Sequence, residues 1–227
     1  MENCKKFYRE TIATNHKKAL NKASKLSNYN VNPFLVNYLA NFLCGDSSPI
    51  SKAKALLYPR ILGTSITTSF GQNIQKMIST LFNGVLGSST SGIDIEFTDA
   101  IDGRKKYCQL KAGPNTINKD DVETIKSHFQ SVRNLARTNN LKVQLDDLVL
   151  GVLYGTKDDT SEFYKVIEQD YTVFVGKELW YHITGDKDFY ESLISAITEV
   201  TSEVNCSSVL EKAVNALAEE IKESEDA

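Results

Sequence analysis

The spacing of apolar positions along this chain changes once, at Gly84. Before it the period is helical. Cys4 to Ser27 is rich in Lys and Ala and free of Gly and Pro, which predicts a helix. Asn32-Pro33 predicts the next start, with Asn32 as cap and Pro33 in the first turn, and Gly45 predicts its stop after Cys44. Ser48 to Ile61, interrupted near Pro59, and Ser69 to Phe82, with Ile74, Ile78, Leu81 and Phe82 on one side, are two more helices. After Gly84 the period is two. Ile93, Ile95 and Phe97 alternate with Asp94, Glu96 and Thr98, as in a half-buried strand. Asp102-Gly103 predicts a tight hairpin, with Lys105 to Ala112 as the return strand. Asn118 to Ala136 reads as a capped helix and Leu145 to Tyr154 as a buried strand. Phe163 to Glu168 and Tyr171 to Val175 read as short strands. Gly176 to Ile183, Asp188 to Val204 and Ser207 to Ser224 read as helices. That order predicts an α/β fold, a mixed β-sheet flanked by helices with a helical N-terminal part. It is expected as a single domain over 1–227, helical to 84, with an α/β core over 85–185 and C-terminal helices over 186–227.

The hairpin carries the candidate chemistry. Residues two apart in a strand share a face, so Asp94 and Glu96 go together, and so do Gln109 and Lys111. A two-residue loop at Asp102-Gly103 would set Asp94 opposite Lys111 and Glu96 opposite Gln109, about 5 Å apart. One patch would then hold two carboxylates, a carboxamide and an ammonium. Charged cross-strand pairs on a solvated face are the plain alternative. Two features favour chemistry: the small polar loop over 87–92, which includes Ser91, and the segment Ala112-Gly113-Pro114-Asn115-Thr116 leading into a helix N-terminus suited to a phosphate.

Composition narrows the classes. The net charge is −3, yet residues 1–60 carry +7, 61–140 carry +2 and 141–227 carry −12. A basic front and an acidic back suit a protein that meets a polyanion on one side, or simply two solvated faces. Cys4, Cys44, Cys108 and Cys206 are scattered, which predicts reduced, mostly buried thiols in a cytoplasmic protein rather than a zinc site. His16, His128 and His182 are equally scattered, so carboxylates must do any metal binding. No secretory segment or membrane span is expected. Trp180, Phe174, Tyr181, Phe189 and Tyr190 read as core or dimer packing.

Ser91-Gly92-Ile93-Asp94, followed after 14 residues by Gln109-Leu110-Lys111, resembles the PD-(D/E)xK nuclease signature. The run from Leu110 to Asp120 is similar to that of type II restriction endonucleases of the TdeIII kind. So, in the same order, are Asn32-Pro33-Phe34, Pro59-Arg60-Ile61-Leu62-Gly63, Gly151-Val152-Leu153-Tyr154-Gly155 and Gly176-Lys177-Glu178-Leu179-Trp180. The likeness covers roughly residues 30–190. It implies a restriction-endonuclease-like fold and a Mg²⁺-dependent phosphodiesterase. Such an enzyme cuts double-stranded DNA as a homodimer at an interrupted palindrome such as GGNCC, beside a cognate DNA methyltransferase.

On that resemblance Asp94, Gln109 and Glu96 are the candidate metal ligands and Lys111 the residue that orients or deprotonates the attacking water. The signature has an acid where this chain has Gln109. A carboxamide offers oxygen without charge, and Glu96 is the residue expected to supply the difference. An extra acid from the preceding helix is common in such sites, where this helix offers Gln72 and Gln75. Asn115, Thr116, Asn118, Lys119 and Ser91 are the candidate DNA contacts, with a helix cap as the other reading of Asn118. Lys17, Lys18, Lys22 and Lys25 are candidates for phosphates. A DNA-binding protein that has lost catalysis, and a nuclease for branched or damaged DNA, remain as alternatives.

Overall fold

In the computed structural model residues 1–82, 84–88, 90–204 and 207–226 are described, with the backbone alone for 65–67. Ser89 of the polar loop and Cys206 lie outside the described residues. The helices and strands in chain order are α1 (Glu2–Phe7), α2 (Thr14–Ala23), α3 (Pro33–Cys44), α4 (Pro49–Tyr58), α5 (Ile66–Leu81), β1 (Val85–Gly87), β2 (Ile95–Thr98), β3 (Lys105–Lys111), α6 (Lys119–Thr138), β4 (Leu148–Val152), α7 (Glu162–Glu168), β5 (Thr172–Val175), α8 (Lys177–Thr184), α9 (Phe189–Glu203) and α10 (Ser207–Asp226). Two π-helical stretches, Tyr8–Ala13 and Pro59–Ser65, join α1 to α2 and α4 to α5. The chain forms two compact units, one of Met1 and Ile74–Ala196, the other of Glu2–Asn73 and Ile197–Ala227.

The first unit is the expected mixed sheet flanked by helices, in the order β1-β2-β3-β4-β5. β1, β2 and β3 are antiparallel, and β3, β4 and β5 are parallel. The parallel steps need crossovers, and α6 and α7 supply them. α6 starts at Asn118, whose side chain accepts from the Asp121 N–H while Asp121 accepts from the Asn118 N–H. Its buried residues Val122, Ile125, Phe129, Val132 and Ala136 recur at three and four. All but Ala136 pack with Ile93, Leu148, Leu150, Val152, Val173 and Val175 in one core. β4 is buried along its whole length, as a central parallel strand should be. On its other face Gly151 has no room for a side chain: a Cβ would lie 2.8 Å from Cys108 Sγ and 3.0 Å from Leu179 Cδ1.

Two expectations are corrected and one strand is new. Phe163 to Glu168 is not a strand but α7: Tyr164 and Ile167, one turn apart, are buried while Phe163 and Val166 face out. β1, unpredicted, forms the sheet edge. The hairpin register is shifted by two residues, so that Ile95 pairs with Cys108 and Glu96 with Tyr107. The cause is Asp99, whose N–H donates to the Arg104 carbonyl (2.9 Å) and whose carbonyl accepts from the Gly103 N–H (2.9 Å). Its carboxylate, 1% exposed, accepts from the Ile101 N–H and contacts His182 at 2.8 Å. That widens the loop to Ala100–Gly103. A shift of two leaves each side chain on its face, so the pattern in the sequence cannot distinguish the registers.

The second unit is helical. α2, α4 and α10 pack through Leu20, Ala23, Leu57, Val214, Leu217 and Ile221. Its ends are also tied by charge. Lys5 pairs with Glu199 (2.6 Å), Arg9 with Glu203 (2.6 Å), Lys25 with Glu220 (3.2 Å) and Lys52 with Glu225 (2.5 Å). The basic front and acidic back are thus partly matched to each other, and Lys25 is engaged inside the unit. α3 is different: it exposes Phe34, Leu35, Tyr38, Phe42 and Leu43. Among the described residues no helix is long and apolar enough to cross a membrane.

Candidate nuclease site

The site is built where β2 begins. Asp94 lies just before the strand, and its N–H donates to the carbonyl of Cys108 (3.0 Å), the residue already paired with Ile95. Two residues thus share one partner, as in a β-bulge, a device that re-aims a side chain. The Asp94 carboxylate turns across to β3. Its Oδ2 accepts from the Leu110 N–H at 2.6 Å, between Gln109 and Lys111, and its Oδ1 accepts from Gln75 Nε2 at 2.9 Å. Gln75 comes from α5, so the helix expected to offer a carboxamide does so. Gln72 is exposed on the same helix.

The partners of Gln109 and Lys111 both come from α6. Gln109 Oε1 lies 3.3 Å from His128 Nδ1. Lys111 Nζ pairs with Asp121 at 3.4 Å rather than with Asp94. Asp121 is held in place by its capping box; the Asn118 N–H keeps its carboxyl below the usual carboxylate range, burial opposes this, and Lys111 adds to the lowering. Gly92, in the turn before Asp94, has φ of +79°, and a Cβ there would stand 2.1 Å from the His128 ring.

Glu96 has partners of its own. Its register partner is Tyr107, not Gln109, because of the shifted hairpin. Lys105 pairs with its Oε2 at 2.6 Å and Ser88 Oγ donates to its Oε1 at 2.7 Å. Partial burial pushes its carboxyl up, and the bonds from Lys105 and Ser88 outweigh that and hold it low. Cys108, buried under the same strand, is an inert thiol: burial, then the charge of Asp94, push it far above the ordinary range.

Of the other candidates, Asn115, Asn118 and Lys119 are exposed on the loop and first turn of α6, and Ser91 is exposed in the turn before Gly92. Asn118 is spent as the cap. The Thr116 hydroxyl donates to the Gly113 carbonyl at 2.9 Å and lies 3.1 Å from the Tyr164 hydroxyl, so it shapes the loop. Sequence reasoning passed over His128 and Asp121. Both sit on one side of α6, two turns apart, and that spacing was the available signal.

Among the described residues no three His, Cys, Asp or Glu side chains cluster as a metal cage. Asp94, on the Leu110 N–H, and the Gln109 carboxamide, on His128, each keep a lone pair that an ion could use. That hard, sparse set suits Mg²⁺, which keeps its waters and relies on one or two carboxylates plus substrate phosphates. No curated protein matches the chain. The family model described as "Type II restriction endonuclease EcoO109I" matches residues 2–205. With nearly the whole chain covered, the protein belongs to the EcoO109I family of type II restriction endonucleases.

Proposed function

We propose that this chain hydrolyses phosphodiester bonds in double-stranded DNA with Mg²⁺, at a short interrupted palindrome of the GGNCC type. In this reading it works in the cytoplasm as a homodimer, beside a cognate methyltransferase. The observation that carries the reading is the Asp94 carboxylate fixed on the Leu110 N–H, within one peptide of Gln109 and Lys111. Attack on phosphorus loads negative charge onto the phosphoryl oxygens and the leaving 3′ oxygen. Asp94 and Gln109 would hold Mg²⁺, which when bound would neutralise that charge and acidify a water. The chain's own part is positional. Gln75 and the Leu110 amide fix Asp94. Asp121 holds the Lys111 ammonium where it can meet a phosphoryl oxygen and orient a water. Asn115 and Lys119 supply base or phosphate contacts. Ser91, Thr116 and Asn118 contribute through the turn, loop and helix start they form. Glu96, tied to Lys105 and Ser88, fits a supporting role better than a ligand's.

The homodimer draws support from α3. Phe34 and Phe42 are 87% and 80% exposed, with Tyr38 between them, and the helix carries no charged residue. At roughly 200 Å² per aromatic side chain, with the neighbouring leucines, the stripe offers about 600 Å². That approaches the roughly 800 Å² per partner of a stable interface. Beside it a groove of about 190 Å³, lined by Val31, Pro33, Val36, Leu56 and Ile221, can take an aromatic anchor from a second copy.

Incubation with unbranched plasmid and Mg²⁺ tests the function: discrete fragments are expected from the wild type and none from Asp94→Asn. The second reading, a DNA-binding protein without catalysis, rests on Gln109 in an acid's place. A mobility shift with no cutting over a range of Mg²⁺ and Mn²⁺ would select it.

A further inference from the structure

His128 is packed against the two most informative stretches of the sequence at once. Its imidazole Nδ1 is 3.3 Å from Gln109 Oε1, and its ring covers Gly92 so closely that a Cβ there would be 2.1 Å from both Cγ and Nδ1. The ring is therefore wedged between the Ser91-Gly92 turn and β3. Two turns earlier on α6, Asp121 meets Lys111. The helix thus supports both side chains that the nuclease reading places on β3.

The chemistry of Gln109 explains why such support matters. A carboxylate presents an oxygen to a cation whichever way it is turned. A carboxamide presents oxygen one way and NH₂ the other, and the NH₂ end repels a cation. Glutamine can replace the acid only if something tells its two ends apart. An N–H donor on Gln109 Oε1 does this: with the proton on Nδ1, His128 binds one lone pair of that oxygen and leaves the second free. We infer that His128 is the positioning residue that turns the Gln109 carboxamide into a ligand for a divalent, oxygen-seeking cation, and that residue 92 is glycine so that the ring can lie there. The inference rests on the nuclease reading and adds to it the partner that makes the glutamine usable.

The test is a calorimetric titration of Ca²⁺ into the protein–DNA complex, with thermal melting alongside, for the wild type, His128→Ala, His128→Asn, Gln109→Glu and the Gln109→Glu/His128→Ala pair. Groups that orient a metal ligand ordinarily contribute about 10- to 100-fold in affinity. His128→Ala is therefore expected to weaken Ca²⁺ binding by about 10-fold or more, and His128→Asn, whose amide N–H falls near the Nδ1 position, to recover most of it. In the Gln109→Glu background, where no orientation is needed, His128→Ala should change the affinity by less than about threefold. Gly92→Ala, which displaces the ring, should reproduce the His128→Ala loss. Equal weakening in both backgrounds would make His128 a packing residue and overturn the inference. So would an unchanged affinity in a wild-type protein that does bind Ca²⁺ and cut DNA. A wild type that neither binds Ca²⁺ with DNA nor cuts would remove the nuclease reading itself, and this inference with it.

Discussion

Asp94 is asked to do two things, and two substitutions separate them. Both of its carboxylate oxygens accept N–H bonds, from Leu110 at 2.6 Å and from Gln75 at 2.9 Å. Asp94→Asn keeps the shape. Its Oδ1 can still take the Leu110 N–H, and its NH₂ can donate to Gln75 once that carboxamide turns over. What is lost is the charge assistance: bonds to ionised groups contribute about 1.5–3 kcal/mol and neutral ones about 0.5–1.5 kcal/mol. Over two bonds the cost is about 2 kcal/mol, or a fall in Tm of roughly 4–8 °C for a chain of this size. Asp94→Ala removes both acceptors and strands the Leu110 N–H in a half-buried place, so it should melt lower still, by a further 1–3 kcal/mol or so. Cleavage should respond differently: on the proposed reading both variants lose a charged ligand and should cut more slowly by at least about 10²–10³-fold. The assay pairs calorimetric melting with single-turnover cutting of a plasmid. If Asp94→Asn cut at the wild-type rate, or if Asp94→Ala melted no lower than Asp94→Asn, the assignment of this carboxylate would fall.

Glu96→Gln should keep cutting within about threefold, because Lys105 and Ser88 already satisfy that carboxylate; a dead enzyme with intact DNA binding would instead restore Glu96 as a ligand. Burial pushes the Asp102 carboxyl up, but Lys106, then Arg104, outweigh it and hold it at about 2 against an ordinary 3.8. A depressed carboxyl stabilises the fold above its unfolded value and stops doing so as pH falls through its folded one. Melting temperature should therefore drop between pH 4 and 2, and the drop should be shallower in Asp102→Asn. Phe34→Glu combined with Phe42→Glu should convert a dimer to a monomer in light scattering without unfolding α3, whose exposed face these residues occupy. A dimer that persists would place the interface elsewhere.

The elements with long, regular periods were legible, and those fixed by a few distant contacts were not. α6 announced itself through Asn118 and five apolar residues at helical spacing, and α3 through Asn32-Pro33 and Gly45, which has φ of +82°. β1 is three residues at the sheet edge, too short to show any period. In α7 the apolar pairs 163–164 and 166–167 suit a helix or a strand equally, and Ile167 and Tyr164 settle the matter only by packing into the core around α6. The hairpin register depended on the buried Asp99 and on Lys106, which is 2% exposed and bonded to Asp102 and Asp147. No local turn rule contains those partners. For the same reason the sequence brought Asp94, Gln109 and Lys111 forward as candidates and gave no sign that His128 would lie against Gln109. A motif preserves spacing within one hairpin, whereas the imidazole arrives from a helix that is adjacent only in space.

The charge balance of the site has a consequence for the order of binding. In the proposed site Asp94 and Asp121 would contribute two negative charges and Lys111 one positive charge, while Gln109 would contribute none. The group is net negative by one and should repel a phosphate until a divalent cation arrives. With an acid at 109 the free site would be negative by two, a better trap for the cation alone and a worse host for DNA. At an effective dielectric of about 20, one charge at 4 Å amounts to roughly 4 kcal/mol before salt reduces it, and about a third of that is a tenfold change in affinity. The glutamine therefore shifts the site toward taking cation and phosphate together. Ca²⁺ should bind the free protein weakly and the DNA complex at least about 10-fold more tightly, with DNA affinity raised by Ca²⁺ to the same degree. In Gln109→Glu the free protein should gain Ca²⁺ affinity and the mutual enhancement should shrink. Titrating Ca²⁺ with and without a cleavable duplex measures both. Equal Ca²⁺ affinity in the two states would show that the phosphate does not complete the cation's coordination, and that Asp94 and Gln109 are not where the two meet.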